Sequence, residues 1–182
     1  MDEHLLETLR DAQRFGFFGD RPIEEAAAHS MAFVEAIGPL HTGARVVDLG
    51  SGGGLPGLVL AASYRDVAIT LIDRRAKRTD FLRRAVKRLA FEHARVITDD
   101  VRRLVDAVAA GSSPPFDVVT ARGFGPPDVT LQLAAGLIGP DGRIVISEPP
   151  TGDRWDSELL VALGLRRLPV GPVSVFRRTT EP

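Results

Sequence analysis

The residues with the clearest chemical meaning form a glycine-rich turn, in which an apolar run ends at Asp48 and is followed by Gly50, Gly52, Gly54 and Gly57. Glycine has no Cβ, so a bound ligand can touch the main chain at these positions. A strand, a glycine turn and a helix form a site for a nucleotide-type ligand at the carboxyl end of a sheet. The spacing also matches the dinucleotide fingerprint, which is a weak signal by itself. The turn therefore predicts a nucleotide-type cofactor without identifying it.

Acidic residues near this turn narrow the choice of cofactor. Asp48 precedes the turn, where a carboxylate suits a ligand with an ammonium group and does not suit a pyrophosphate at a helix N-terminus. Asp73 follows about 20 residues after the glycines, where an acid accepts hydrogen bonds from ribose hydroxyls. Asp99 or Asp100 either contacts adenine or caps the helix that begins at Val101. Asp48 thus favours S-adenosylmethionine, whereas Asp73 supports a nucleoside in either kind of cofactor.

Composition excludes several classes of function. The chain has 182 residues, no cysteine and four histidines, so it cannot form disulfides or thiolate metal sites, and the scattered histidines predict no metal centre. No apolar run approaches the roughly 18 residues of a membrane span. The acidic N-terminus is not a secretory signal, and we expect a cytoplasmic protein without a membrane partner. With a formal net charge of −1, binding to nucleic acid would require a local basic patch.

The elements that must position the acids and glycines alternate along the chain. Strands are predicted at residues 45–49, 67–72, 95–98, 116–121 and 143–147. Helices are predicted between them, at residues 56–63, 75–90, 101–110 and 127–138. Near-continuous runs of Val and Ile indicate strands that are buried on both faces, as in a parallel sheet. This βα repetition predicts a doubly wound α/β sheet.

The C-terminal part of the chain departs from that repetition. After a short helix at 154–163, two strands at 165–170 and 173–178 are separated only by a Gly-Pro pair, and strands joined so closely must be antiparallel. A terminal antiparallel hairpin is typical of class I methyltransferases and is absent from the standard dinucleotide fold. The predicted fold class is therefore a Rossmann-like, mostly parallel sheet that ends in an antiparallel hairpin.

The N-terminal part is predicted to be helical, with helices at residues 2–15 and 22–37. We expect a single methyltransferase domain, in which a helical extension (1–40) precedes an S-adenosylmethionine-binding core (41–182). The sequence does not indicate an oligomeric state.

The helix after Asp73 carries a strongly basic surface. Its apolar residues form one stripe, which predicts a core-facing side. The other faces are either simply solvated or bind the phosphates of structured RNA. The leading candidates for RNA contacts are Arg74, Arg75, Lys77 and Arg78.

Three segments resemble the bacterial 16S ribosomal RNA guanine-N7 methyltransferases, the RsmG or GidB family. The glycine loop at 48–57 ends in Leu-Pro-Gly, as it does in that family. The stretch 70–82 is similar to the family's second strand and the helix after it. Residues 116–124 are similar to its fourth strand, which ends in Ser-Arg-Ala-Phe. The resemblance extends from about residue 45 to residue 147.

The resemblance implies an S-adenosylmethionine-dependent enzyme that methylates guanine N7 in 16S ribosomal RNA, either free or in the small ribosomal subunit. It implies that Gly50 and Leu55 contact the cofactor, together with the main chain at Val101 and Arg102. It places Arg122 beside the cofactor as a positioning residue. Guanine N7 has a free lone pair and no proton to lose, so the reaction requires alignment more than a general base.

Departures from the family concern the substrate. The family's longer N-terminal region with its Asn-Leu-Thr motif is missing, so we interpret the chain as a divergent, N-terminally shortened member. Of the family's His-x-x-Asp-Ser segment, only the histidine is present, as His29. Glu148 occupies the position of a lysine in the family, and its negative charge would repel an RNA phosphate. These differences leave open a methyltransferase that acts on a small molecule or a protein, and a non-catalytic cofactor-binding module. An oxygen acceptor would need a base, for which His29 and Glu148 are the candidates.

Overall fold

The computed structural model describes residues 2–149 and 154–179. Its helices are α1 (Glu3–Arg14), α2 (Ile23–Ile37), α3 (Gly57–Ser63), α4 (Ala76–Arg88), α5 (Val101–Ala109), α6 (Pro127–Ala135) and α7 (Ser157–Ala162). Its strands are β1 (Arg45–Leu49), β2 (Ala68–Asp73), β3 (Ala94–Thr98), β4 (Phe116–Ala121), β5 (Ile138–Ser147), β6 (Leu165–Val170) and β7 (Val173–Arg178). The predicted order of strands and helices is confirmed.

The strands form one seven-stranded sheet in the order β3-β2-β1-β4-β5-β7-β6. Strands β1 to β5 pair in parallel, whereas β7 is antiparallel to both β5 and β6. The predicted fold class, including the terminal hairpin, is confirmed. The connections leave β1 and β4 in opposite directions, which makes a crevice at their carboxyl ends, where α/β proteins bind ligands.

Two hydrophobic clusters cover the two faces of the sheet. Side chains of α1 to α4 pack on one face, and those of α5 and α6 pack on the other, with α7 at its margin. Val46 and Val47 of β1 are both fully buried and belong to opposite clusters, because successive side chains of a strand point to opposite faces. The run of valines is therefore a strand covered on both sides, as the apolar pattern predicted.

The N-terminal helices share the core of the sheet. Leu9 of α1 and Phe33 of α2 are fully buried in the same cluster as Val46. Arg88 of α4 also forms ion pairs with Glu7 and Asp11 of α1, at 2.6 and 3.1 Å. Residues 3–37 are thus packed against the strands and helices that position the glycine turn.

The predicted boundary between α6 and β5 is wrong, and α7 begins three residues later than predicted, at Ser157. The helix expected at 127–138 ends at Ala135, and Ile138 already belongs to β5, where it pairs with Phe116. The register shifts between Phe116 and Val118, so the pairing is irregular there. Ile138 is 4% exposed, and the short apolar pair Leu137-Ile138 gives no local signal that separates a helix end from a strand start. In the two described stretches, none of the helices combines the length and the apolarity required to cross a bilayer.

Candidate functional site

A cavity of about 430 Å³ opens at the carboxyl ends of β1, β2 and β3. The loop after β4 and the start of α6 form its opposite wall. Several residues expected from the sequence line it: Gly50, Asp73, Arg74, Arg75, Arg78, Asp99, Asp100, Val101 and Arg102. The structure therefore brings acids from two strand ends and the first glycine of the turn into one space.

Asp73 links the cavity to the glycine turn. Its carboxylate accepts hydrogen bonds from the main-chain N–H groups of Gly52 at 3.1 Å and Arg75 at 2.9 Å. The Arg78 guanidinium lies 3.5 Å from the same carboxylate. Asp73 is only 5% exposed, and what remains exposed faces the cavity. One side chain thus fixes the turn and offers oxygens to a ligand.

Two aromatic rings press against the turn where it has no Cβ atoms. A Cβ on Gly50 would lie 2.6 Å from the ring of Phe124, and the φ angle of Gly50 is +63°. A Cβ on Gly53 would lie 2.6 Å from the ring of Phe18. Both distances are too short for non-bonded carbon atoms, so the turn accepts these rings only as glycine. Phe124 lines the cavity, whereas Phe18 belongs to the segment between α1 and α2.

Asp48 lies beneath the turn and outside the cavity lining. It is fully buried, and its carboxylate accepts hydrogen bonds from Gly57 N–H at 3.2 Å and from the Thr120 hydroxyl at 2.9 Å. Burial raises the pKa of Asp48 to about 7, although these hydrogen bonds and the charge of Arg122 act in the opposite direction. The carboxylate expected to meet an ammonium group therefore has internal partners that hold the start of α3 against β1.

Three other residues of the turn that were predicted to bind the cofactor are buried. Gly52, Gly54 and Leu55 are all buried, and Leu55 packs into the hydrophobic cluster with α1 and α3. None of the three is part of the cavity lining. Gly52 acts through its N–H group, which holds Asp73 in place.

The start of α5 forms another part of the wall. Asp100 caps this helix by accepting a hydrogen bond from Arg102 N–H at 2.9 Å, and it also lines the cavity. The two roles that the sequence left open for Asp100 are therefore compatible. Val101 is buried, at 4% exposure, and the Arg102 guanidinium turns back to Asp100 at 3.4 Å.

Arg122 lies at the end of β4, half-buried and outside the cavity lining. Burial lowers the pKa of Arg122, and the charge of Asp48 opposes that change. Burial also lowers the pKa of His29 on α2, with a further contribution from the charge of Arg122. The charge of Arg122 therefore acts on both Asp48 and His29.

Neighbouring arginines balance the negative charge of Glu148. Its side chain is 13% exposed and lies 3.3 Å from both Arg154 and Arg167. It also accepts hydrogen bonds from Trp155 Nε1 and the Ser174 hydroxyl. Two guanidinium groups surround this carboxylate, so the structure does not support the expected repulsion of an RNA phosphate. Glu148 instead ties the end of β5 to the C-terminal hairpin.

The basic helix divides into paired and unpaired cations. Arg83 forms an ion pair with Asp80 at 2.9 Å, and Arg88 is held by α1. Arg74, Arg75 and Lys77 are exposed, and they form no ion pair with any carboxylate that the structure describes. Arg84 and Lys87, further along the helix, are likewise exposed and form no ion pair with a described carboxylate, so the unpaired cations extend from the cavity along the helix.

Sequence reasoning missed one wall of the cavity. Val129 and Leu133 of α6 contribute apolar surface, together with the loop at 123–126. The cluster of glycine and proline after β4 was the available signal, because a loop at the carboxyl end of a central strand borders the crevice of an α/β sheet.

No cluster of three or more His, Asp or Glu side chains suited to a metal ion occurs in residues 2–149 or 154–179.

Solved structures of low sequence identity share this fold. A mutant of MtNAS in complex with S-adenosylmethionine aligns with a TM-score of 0.64 at 18% identity, covering 97% of this chain and 73% of that one. Precorrin-6y C5,15-methyltransferase from Geobacter metallireducens aligns with a TM-score of 0.59 at 14% identity, covering 86% and 88%. At these identities the likeness shows the fold alone.

Curated sequence relatives share higher sequence identity with this chain than these solved structures do. The "Ribosomal RNA small subunit methyltransferase G" of Ralstonia nicotianae is 37% identical over 139 residues, which are 76% of this chain and 56% of that protein. The protein of the same name from Sorangium cellulosum is 30% identical over 174 residues, covering 88% and 70%. The matched part of the chain thus spans 56% to 70% of the length of these two relatives. Residues 6–149 also match the family described as rRNA small subunit methyltransferase G, or GidB, and the chain belongs to that family.

Proposed function

We propose that this chain is an S-adenosylmethionine-dependent methyltransferase that acts on guanine N7 in 16S ribosomal RNA. The observation that carries the proposal is the cavity at the switch point of the sheet, lined by Asp73, Gly50 and the start of α5, in a member of the rRNA small subunit methyltransferase G family. A bacterial rRNA substrate supports a cytoplasmic location for the reaction. The packing of α1 and α2 into the core of the sheet supports one domain comprising segments 1–40 and 41–182.

The cavity fits the nucleoside part of this cofactor. Asp73 keeps oxygens directed to the cavity, where they can accept from ribose hydroxyls. Asp100 and the main chain of Val101 border the space for adenine, and Val129 and Leu133 offer apolar contact with the base. When it is bound, S-adenosylmethionine supplies a methyl group activated by its sulfonium. The residues of this chain orient that group, and Asp48 acts through the turn that it holds.

The acceptor base needs alignment more than proton transfer. Guanine N7 attacks with a lone pair that carries no proton, so positioning supplies the catalysis. Phe124 is half-buried at the cavity wall and offers a ring on which a purine can stack. Arg122, directly after β4, is the positioning residue. His29, whose pKa is lowered, is not required as a base for this acceptor.

Charge beside the cavity suits an RNA partner. Arg74, Arg75 and Lys77 extend from its rim without carboxylate partners among the described residues, and phosphate contacts of this kind hold RNA in register. The paired state of Glu148 removes the main electrostatic argument for an uncharged small-molecule substrate. The charge of Glu148 is therefore no longer an argument against an RNA substrate.

Methyl transfer from labelled S-adenosylmethionine tests the proposal. Purified chain is incubated with small-subunit ribosomal RNA, as free RNA and as assembled subunits, and labelled nucleosides are identified. We expect label in 7-methylguanine, and we expect Lys77→Gln, at an exposed cation outside the cavity lining, to lower transfer while still binding the cofactor. The matched control is Arg14→Gln, because Arg14 is an exposed arginine of α1 that is distant in sequence from the basic helix.

Three outcomes would redirect the proposal. No binding of S-adenosylmethionine in calorimetry would remove the cofactor assignment. Binding with label in a small molecule or a protein of a cell extract, and none in RNA, would establish another acceptor. Binding without transfer to any acceptor would indicate a cofactor-binding module.

A further inference from the structure

Three arginines lie side by side across the C-terminal strands. Arg143 of β5 is directly opposite Arg177 of β7, and Arg177 is directly opposite Arg166 of β6. Residues paired in this way point to the same face of the sheet. It is the face covered by α2, because Val145 and Val175, two positions away, pack into that cluster. We call these three residues the arginine row.

The arginine row lacks negative partners. Arg143 donates to the carbonyl oxygen of Ile37 at the end of α2, but its Nε atom and that of Arg177 are buried without a hydrogen-bond partner. No described carboxylate forms an ion pair with any of the three. Burial lowers the pKa of Arg143, and the charge of Arg177 lowers it further, against smaller opposing effects from Tyr64 and Asp117. The row is therefore an accumulation of positive charge with unused donors.

Other arginines of the same hairpin show how such charges are normally satisfied. Arg167 is paired with Glu148, and Arg178 donates to the carbonyl oxygens of Ala135 and Ile138 at 3.0 and 3.4 Å. Both lie on the opposite face of the hairpin from the arginine row. Like charges directly across strands destabilise a sheet, and each buried donor without a partner adds a further cost. The arrangement is explained if an external anion completes it.

We propose that the arginine row is a binding site for a phosphate group. The planar fork of a guanidinium matches phosphate oxygens with two parallel hydrogen bonds. Because the Nε atoms of Arg143 and Arg177 are enclosed by protein, the phosphate is bound by the terminal nitrogens of the row and by its uncompensated charge. Arg166 is exposed, which leaves the row open to solvent at the β6 edge. Arg143 precedes Ser147 by four residues, so the row lies about 13 Å below the carboxyl edge of the sheet, away from the cofactor cavity.

Two sources can supply this phosphate. One is a backbone phosphate of the RNA substrate, in which case the row would hold RNA at a distance from the reacting base; this source rests on the proposed function. The other is a free phosphate ion. The chemistry of recognition is the same, and the two are separated by experiment.

Thermal denaturation tests the site with inorganic phosphate, titrated at constant ionic strength against chloride. We expect phosphate to raise the melting temperature of the wild-type chain, Arg177→Gln to lose at least half of that rise, and Arg166→Gln to reduce it. Arg14→Gln should keep it. In phosphate-free buffer Arg177→Gln should melt at or above the wild type, because it removes a like charge, whereas an arginine with only a structural role would destabilise the fold when removed.

The proposal is overturned if phosphate leaves the wild type unchanged, or if Arg177→Gln and Arg14→Gln respond equally. RNA binding then identifies the source. If the RNA backbone is the ligand, the double variant Arg166→Gln, Arg177→Gln binds a small-subunit RNA fragment more weakly and lowers the slope of log K against log salt by about one per lost phosphate contact. Unchanged RNA binding with a lost phosphate response assigns the site to free phosphate. Calorimetry with S-adenosylmethionine is independent of the row and reports separately on the proposed function.

Discussion

Asp73 and Glu148 occupy equivalent positions on opposite sides of the same sheet edge. Asp73 ends β2 and Glu148 follows β5, so each is an acid at the carboxyl end of a parallel strand. Asp73 binds mainly main-chain N–H groups and faces the cavity. Glu148 is enclosed by Arg154, Arg167 and the hairpin. An acid at a strand end is therefore a candidate ligand contact only where the tertiary structure leaves its oxygens accessible.

The largest effect should follow from removing the charge of Asp73. Asp73→Asn should weaken S-adenosylmethionine binding roughly 10- to 100-fold, because hydrogen bonds to a charged group contribute about 1.5–3 kcal/mol. Isothermal titration calorimetry measures the change. Asp80→Asn is the control, since its exposed carboxylate pairs only with Arg83 on the same helix. Equal affinities of the two variants would contradict a role for Asp73 in the site.

Glu148→Gln should affect stability and leave the cofactor site intact. The change leaves two partly buried guanidinium groups without their shared counter-charge, and we expect a loss of about 1–3 kcal/mol in the free energy of unfolding. Urea denaturation gives this value, with Glu92→Gln, an exposed acid on the loop before β3, as the control. A variant with unchanged stability and improved RNA binding would restore the interpretation of Glu148 as a repelling charge.

Asp48, an acid near the end of β1, is fully buried, so its ionisation should appear in the pH dependence of the free energy of unfolding. Its folded-state pKa of about 7 lies above the unfolded value of about 3.9, so the folded chain holds the proton more tightly. Its contribution to stability is then fully present below about pH 4 and is lost as the pH rises to about 7. Asp48→Asn should reduce this decline, by on the order of 1 kcal/mol per pH unit. Unfolding curves measured from pH 5 to 8 test it, and parallel profiles for both proteins would show that Asp48 ionises normally.

The smallest effect should come from the aromatic segment beside Asp73. The ring of Phe17 lies 6.0 Å from the Arg78 guanidinium, which in turn lies against Asp73. Phe17→Ala should weaken cofactor binding about 2- to 5-fold, in line with about 0.5–1 kcal/mol for an exposed cation–π contact. Phe15→Ala is the control, because Phe15 packs against Phe17 and Phe81, whereas the cation–π contact with Arg78 is made by Phe17. A larger effect from Phe15 would mean that packing, not Arg78, couples this segment to the site.

Local patterns were enough to predict most of the fold. Both hairpin strands have the predicted bounds, 165–170 and 173–178, because a two-residue connection permits only an antiparallel pair. The start of β5 at Ile138 was missed because its pairing with Phe116 connects residues far apart in the chain. For the site, Asp73 and Asp100 line the cavity, and their contact with the cofactor stays a prediction; the burial of Leu55 and Asp48 away from it was not foreseen.

By itself, the sequence determined the order of strands and helices, the glycine turn and the family, since these depend on residue types at short spacing. Only the tertiary structure decided the state of each charge. Glu148 is neutralised by Arg167 and accepts a hydrogen bond from Ser174, and Arg143 lies opposite Arg177. These pairings depend on sheet register between distant segments. The free energy of a charge depends on its burial and its neighbours, and neither is encoded in the residues beside it in the chain.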